Sequence, residues 1–283
     1  PMTEPTRLSA AQQGREIAAR RLDPRELTEA YLDAIANDPD ATLIYARTTP
    51  ERARAEAQAA RDRQDTGALN GPLDGVPLAW KDNVDSAGIA TEAGTRLLAG
   101  RVPETDAPVL GRATAAGLVC LGKTHMSELA FSGLGVNPIT ATPPNAFDAL
   151  RAPGGSSSGS AVAAALGLAS AAIGTDTGGS VRIPAIWNGL VGLKPGRGRV
   201  PLGGVVPLAE SLDVVGPLAR SAEDAALLLG VLAGDPRPVP EAAEPGGIAL
   251  LAARGVVDEG CDAEVIDAFE TALDALGQAG VRV

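Results

Sequence analysis

The sequence is poor in aromatic side chains, histidine and cysteine, and each scarcity excludes something. Three Phe, two Tyr and two Trp make up 2% of its 283 residues, too few for the stacked aromatic platforms that bind single-stranded nucleic acid. One histidine and two cysteines, Cys120 and Cys261, without a C-x-x-C spacing, give no ligand set for a structural zinc or an iron–sulfur centre. No metal or cofactor is expected. The cysteines read as small core residues of a reduced, cytoplasmic chain. Positive charge is scarce too: 24 Lys and Arg stand against 35 Asp and Glu, a formal net charge of −11. An acidic surface repels nucleic acid and anionic membranes, so neither is expected as a partner. No apolar run reaches the ~18 uninterrupted residues of a membrane span, and the charged-then-apolar pattern of a signal peptide is missing at the N-terminus.

What the sequence has is small and apolar residues in quantity, with 34 glycines and 45% apolar content. A large core can therefore form, in one large domain or two ordinary ones. Helix and strand signals alternate. Ser9 caps a helix to about Arg21, and Asp23-Pro24 opens another to about Asn37, with proline at the first helical position. Residues 41–47 read as a strand, and Thr49-Pro50 opens a charged helix to about Gln64 with a solvated face. A buried strand over 76–80 ends at Lys81, and a helix over 106–116 precedes a strand over 118–121. Residues 133–155 hold eight prolines and glycines and read as a long ordered loop, of the kind that is usually functional. Further on, 181–187 reads as a helical turn and 189–201 as strand and turn. Ser221 caps a helix to about Ala233, 235–246 is an exposed linker, 248–252 a strand and 262–279 an amphipathic helix. Residues 281–283 look like the start of a strand, so the chain is expected to stop partway through a domain. The alternation predicts an α/β fold around a mixed or mainly parallel sheet.

The centre of the chain is PGGSSSGSAVAAALGLASAAIGTDTGGSVR, residues 153–182. Two Gly/Ser clusters flank a charge-free run, 161–172, that reads as a buried helix running into a strand over 172–175. Small side chains let the backbones on either side approach closely. Glycine–serine tracts are most often linkers, but this one is joined to a buried helix and apolar strands. It suits chemistry on a phosphate or a carbonyl. A phosphate-cradling G-x-x-x-x-G-K-[ST] fails because Ser160-Ala161 stands where Lys-Ser/Thr is needed. Residues 155–159 match G-x-S-x-G with Ser157 as nucleophile, but that fold needs its histidine after the serine, and His125 precedes it. A serine nucleophile here therefore requires another base, and Ser–Lys pairs are known. The lysine must be neutral to act, which costs about 4–5 kcal/mol near pH 7 and has to come from burial and nearby positive potential. Lys81, Lys123 and Lys194 all stand at strand ends or turns, and spacing alone does not choose among them.

The stretch GGSSSGSAVAAALGLASAAIGTDTGGSVRIPAIWNGLVGLKP resembles the signature of the amidase signature family of serine hydrolases, and GVPLAWKDNVD and GKTHMSELAFSG upstream resemble the family too. The resemblance extends over about 7–235. It implies an α/β amidase signature fold, a central mixed β-sheet flanked by helices on both faces. It also implies a single domain over 1–283, with N-terminal helices over about 7–64, a catalytic core over about 70–235 and an incomplete C-terminal part. The family's Ser–cis-Ser–Lys triad falls on Ser180 as acylated nucleophile, Ser156 as bridging serine and Lys81 as base, with a cis peptide bond between Gly155 and Ser156. Gly178 and Gly179 let the backbone turn so that N–H groups from Thr177 to Ser180 form an oxyanion hole, worth roughly 3–4 kcal/mol per donor. Ser157, Asp176 and Arg182 are expected to support the site, Asp176 and Arg182 by pairing across the turn. The reaction implied is hydrolysis of a carboxylic amide, with a small-molecule amide as partner and a homodimer as candidate assembly. The alternatives are the glutaminase-type subunit of a tRNA-dependent amidotransferase, an enzyme of urea-derived substrates such as allophanate or biuret, and a non-catalytic amide-binding fragment. The amidotransferase members usually carry asparagine where this chain has His125.

Overall fold

The computed structural model describes residues 4–235, 243–257 and 259–283. The chain divides into two compact units, 1–237 and 238–283. The first opens on α1 (Ala10–Ala18), where Ser9 and Gln12 cap reciprocally, so two of the unpaired N–H groups at the helix start are satisfied. The Asp23 carboxylate accepts the Arg25 N–H at the start of α2 (Pro24–Asn37). A helical turn, α3 (Ala41–Ile44), leads into β1 (Tyr45–Thr48). The strand expected over 41–47 thus begins later. Asp38 and Asp40 accept the N–H groups of Ala41, Leu43 and Ile44 through their backbone carbonyls and wind the chain there. α4 (Pro50–Thr66) follows and ends on Gly67 in the left-handed conformation. Its charges are less free than expected: Arg52 pairs with Glu56 and Asp106, and Arg63 with the buried Asp74.

Then come β2 (Pro77–Lys81), α5 (Pro108–Ala115), β3 (Val119–Thr124), α6 (Ser158–Ala165), β4 (Ala171–Asp176), α7 (Arg182–Trp187), β5 (Val191–Gly192), β6 (Val214–Ala219) and α8 (Ala222–Ala233). Helix α6 starts inside the serine tract and is shorter than the run of small residues. Gly167 takes a positive φ of 75° and Leu168 N–H returns to Ala163 O, a glycine C-cap that stops the helix. Strand β6 carried no strand signal, because Gly216 and Pro217 break the pattern that identifies one. Pro217 lacks the N–H, yet its carbonyl accepts from Leu193. The loop over 133–155 is irregular but tied down: Asn137 Nδ2 donates to Gly94 O and Met126 O, and Asn145 Nδ2 to Trp187 O.

The six strands form one mixed sheet in the order β1-β3-β2-β4-β6-β5. β3, β2 and β4 run parallel, while β1, β6 and β5 pair antiparallel. The fold is α/β, as expected. Trp80, Leu78, Leu121 and Ile173 from the parallel strands join Val162 and Ala163 of α6 and Leu27 and Tyr31 of α2 in one hydrophobic core. Because β2 and β4 are parallel neighbours, Lys81 and Asp176 end their strands on the same edge of the sheet, where open α/β sheets hold their sites.

The second unit holds α9 (Arg254–Val257) and α10 (Ala263–Gln278). The strands expected over 248–252 and 281–283 meet in a single parallel bridge, Ala249 to Arg282. The linker expected over 235–246 lies mostly outside the described residues. Among the described residues no helix is long and apolar enough to cross a membrane.

Candidate active site

Lys81 is the last residue of β2 and is fully buried. Its Nζ donates to Ser156 Oγ at 2.7 Å, to Thr175 Oγ1 at 2.8 Å and to Thr175 O at 3.4 Å. Burial pushes its ammonium down to about 7, although Asp176 and Asp213 pull the other way. Desolvation dominates because it penalises only the charged form. The other two candidate lysines go elsewhere. Lys123 is buried as well, and burial lowers it to about 8 against the pull of Asp82. Its Nζ donates to Val84 O and Thr91 Oγ1, beside Asp82 at 3.6 Å, which makes it an internal tie. Lys194 Nζ donates to Pro195 O.

Ser156 is fully buried just ahead of α6, and the Gly155–Ser156 peptide bond is cis. Two backbone ladders hold it. Gly154 and Gly155 N–H donate to Leu134 O and Gly133 O, and Ser127 N–H donates to Ser156 O. A Cβ on Gly155 would sit 2.5 Å from Gly135 N, so the approach of these two loops requires glycine. Ser157 is no elbow nucleophile: its Oγ is buried and donates to Thr175 O at 3.3 Å.

Ser180 follows the turn after β4 and is 8% exposed. Its carbonyl accepts the Ser157 N–H at 3.2 Å. Among the described residues its Oγ makes no hydrogen bond, so the Ser180–Ser156 link of the expected triad is not closed in this structure. The turn itself is built on Asp176, whose buried carboxylate accepts from Gly179 N–H at 2.8 Å and Val181 N–H at 3.0 Å and from Arg182 Nε and a terminal guanidinium nitrogen at 3.0 Å each. Burial pushes the Asp176 carboxyl up, but Arg182 and these N–H groups more than offset it, and the net effect is downward. The Asp176–Arg182 pairing expected across the turn is present. Gly179 differs from expectation, since its N–H is taken by Asp176. Among the described residues the N–H groups of Thr177, Gly178 and Ser180 have no acceptor.

Four contributors carried no sequence signal. Thr175 receives Lys81 Nζ, and Asn83 Nδ2 donates to Thr175 Oγ1 at 3.1 Å. Asp213 accepts from Thr177 Oγ1 and from Leu208 and Ala209 N–H. Ser127 anchors Ser156. Thr175, Asn83 and Ser127 lie inside the stretches quoted for the resemblance, and only their neighbours there pointed to them. Asp213 also lines a cavity of about 290 Å³ with Leu202, Val205, Pro207 and Glu210. His125 is held through its backbone by Ile44 O and Gly159 N–H, and burial lowers its pKa.

These features define an α/β protein whose strand ends carry a buried lysine–serine pair beside a serine-bearing glycine turn. A family model described as Amidase matches residues 26–283, and the chain belongs to that family. It is 41% identical over 296 residues to a glutamyl-tRNA(Gln) amidotransferase subunit from Anaeromyxobacter sp. (strain K), covering 100% of this chain and 60% of that protein. Among solved structures it is similar to an amidase at 38% identity and a TM-score of 0.89, over 98% of this chain and 62% of the other. It is also similar to the peptide amidase of Stenotrophomonas maltophilia at 36% identity and a TM-score of 0.84, over 98% of this chain and 61% of that one. The chain thus spans about three fifths of the length of these relatives.

Proposed function

We propose that the protein hydrolyses a carboxylic amide to acid and ammonia or amine through an acyl-enzyme on Ser180. The observation that carries this reading is the Lys81–Ser156 contact of 2.7 Å, made by a lysine whose burial brings its ammonium down to about 7. A lysine so placed is neutral in a large fraction of molecules near pH 7 and can act as a base. Ser156 passes its proton to Lys81 and takes one from Ser180, whose Oγ turns from its present position onto Ser156 to do so. Ser180 Oγ then attacks the amide carbon. The carbonyl oxygen becomes an oxyanion facing the open N–H groups of Thr177, Gly178 and Ser180, where pre-aimed donors stabilise charge that develops only in the transition state. The proton held on Lys81 returns through Ser156 to the leaving nitrogen, the C–N bond breaks, and an ester on Ser180 remains. Water, deprotonated along the same route, releases the acid.

A glutaminase-type component of a tRNA-dependent amidotransferase is the second reading. It is favoured by the relative that matches the whole chain at 41% identity and bears that description. It would use the same residues, with glutamine as the amide and a partner protein to receive the ammonia. The cytoplasmic setting and a homodimer remain parts of the first reading.

The test is incubation of the folded protein with a serine-directed fluorophosphonate, followed by mass spectrometry. Adduct on Ser180 that is lost in Lys81→Ala supports the hydrolase; a folded sample that stays unlabelled overturns it. Ammonia release from a panel of amides without any partner separates the two readings. Turnover of simple amides identifies the hydrolase, and strict glutamine dependence the amidotransferase component.

A further inference from the structure

Asn83 lies two residues beyond Lys81 and is 2% exposed. Its side chain faces two ways at once. Nδ2 donates to Thr175 Oγ1 at 3.1 Å, the same oxygen that Lys81 Nζ reaches at 2.8 Å, and to Val206 O at 3.4 Å. The Asn83 backbone carbonyl in turn accepts the Val206 N–H at 2.8 Å. Among the described residues Oδ1 is buried without a partner. The Val206 carbonyl sets the amide's orientation, because the reverse would put Oδ1 against another acceptor. The donor end of Asn83 is therefore fixed on Thr175.

The consequence lies in the geometry of a neutral amine. Such a group has two N–H bonds and one lone pair. With the two N–H bonds on Thr175 Oγ1 and Thr175 O, the lone pair is left for Ser156 Oγ. Thr175 thus aims the base, and the Thr175 hydroxyl is held by Asn83. We propose that Asn83 is a positioning residue that directs the Lys81 lone pair at Ser156 through Thr175. This rests on the hydrolase reading above. The charged groups that act on Lys81 here are Asp176 and Asp213, and Asn83 adds no charge to them.

The test combines the rate of Ser180 labelling as a function of pH with the titration of Lys81 Nζ followed by NMR. Asn83→Ala removes the donor, and labelling is expected to slow about tenfold or more, the effect of a slightly misdirected reacting group. Asn83→Asp keeps the volume, replaces the donor by a carboxylate and favours the ammonium, so the acid limb and the Nζ titration move up by about one pH unit. Thr175→Val is expected to match Asn83→Ala, and the double variant to be no slower than either, as for residues acting in one chain. Thr175→Ser, which keeps the hydroxyl, restores most of the rate. Wild-type rate and pH profile in Asn83→Ala, or effects of Asn83 and Thr175 that multiply independently, overturn the proposal. Should Asn83→Ala not fold, Asn83→Asp decides it through the labelling rate on the plateau above its raised limb, where a wild-type plateau rate overturns the proposal. An unlabelled wild type defeats the hydrolase reading instead, and the Nζ titration of the uncharged Asn83→Ala, expected to move once Thr175 is released and to stay at the wild-type value if Asn83 does not hold it, still decides the positioning role.

Discussion

Lys81 Nζ and Ser156 Oγ lie 2.7 Å apart, with both residues sealed from solvent. A base in this position must be neutral, and burial brings Lys81 down to about 7. The rate of Ser180 acylation by a fluorophosphonate is therefore expected to rise with pH through a limb near 7 and level off above it. Lys81→Ala is expected to lower the rate by about a thousandfold, within the range of general-base contributions. Labelling rates between pH 5 and 9 check both. A pH-independent wild-type rate would remove Lys81 from the base role.

The same burial makes Lys81 a stability liability with a definite pH window. In the unfolded chain it titrates near 10.5 and in the folded protein near 7. Between these values the unfolded state binds more protons, so stability rises with pH. The cost of the buried lysine, roughly 5 kcal/mol, is fully present below about 7 and absent above about 10.5. Lys81→Met abolishes this titration. The Tm of the wild type relative to Lys81→Met should climb steadily across the window, with Lys123 titrating in both proteins and cancelling. A gap that does not change with pH would show that the folded lysine is not held neutral.

His125 is the single histidine and the natural suspect for a base. Its backbone joins β3's end to α3 and α6 through Ile44 O and Gly159 N–H, while no side-chain contact leads to Ser156 or Ser180 among the described residues. His125→Asn is expected to keep the Ser180 labelling rate within about threefold, the scale of a substitution away from the proton relay. A loss beyond a hundredfold would reopen the histidine-based reading.

The sequence carried the proposed base, both serines and the Asp176–Arg182 pair, but not every group that orients them. Ser156 and Ser180 sit in glycine clusters and Lys81 closes an apolar strand, but Lys123 and Lys194 fit the local pattern as well, and only the resemblance to the amidase signature selected the three residues. Thr175, Asn83, Ser127 and Asp213 act through positions that only the packed sheet brings together. Thr175 meets Lys81 because β2 and β4 are parallel neighbours, a pairing between segments far apart in the chain that no local pattern announces. Helices with clear caps, α1, α2 and α8, were legible because Ser9, Asp23 and Ser221 satisfy the helix starts within a few residues. β6 was not, since what stabilises it is pairing to β4 and β5 rather than propensity. Gly179 looked like an oxyanion donor from its neighbours alone, and only the fold shows Asp176 taking its N–H.

Asp176 organises the turn that carries Ser180, the proposed nucleophile, from inside the protein. Its carboxylate is buried, while Arg182 is half-exposed. An amide cannot accept from Gly179, Val181 and Arg182 together, so Asp176→Asn leaves buried donors unpaired. A loss of about 3 kcal/mol is expected, the usual cost of breaking a buried pair, along with a fall in Ser180 labelling of about a hundredfold as the turn shifts. The carboxylate titrates below its ordinary 3.8 in the folded state. Its stabilisation is therefore present above 3.8 and lost as pH falls through the lower folded value. Denaturant unfolding at pH 7 and labelling of the folded variant measure the two effects, and unchanged labelling would separate Asp176 from the site.

The proposed relay also depends on how closely α6 approaches the backbone beneath it. Gly159 stands in the first turn of α6, just after Ser156. A Cβ there would lie 2.4 Å from Ile44 O, 2.8 Å from His125 N and 2.9 Å from His125 O. All three are backbone atoms, so no side chain can swing aside. Gly159→Ala must push the start of α6 away from β3 and carry Ser156 off Lys81. The expected cost is about 1–3 kcal/mol, as for overpacking elsewhere, with Ser180 labelling reduced further than the folded fraction accounts for. Gly178→Ala is the control, because a Cβ at Gly178 meets nothing within 4 Å and its stability is expected to stay at the wild-type level. Thermal melts of the two variants decide the matter: equal melting temperatures would mean that α6 has room to spare at Gly159, and that the Lys81–Ser156 distance is set by something other than this contact.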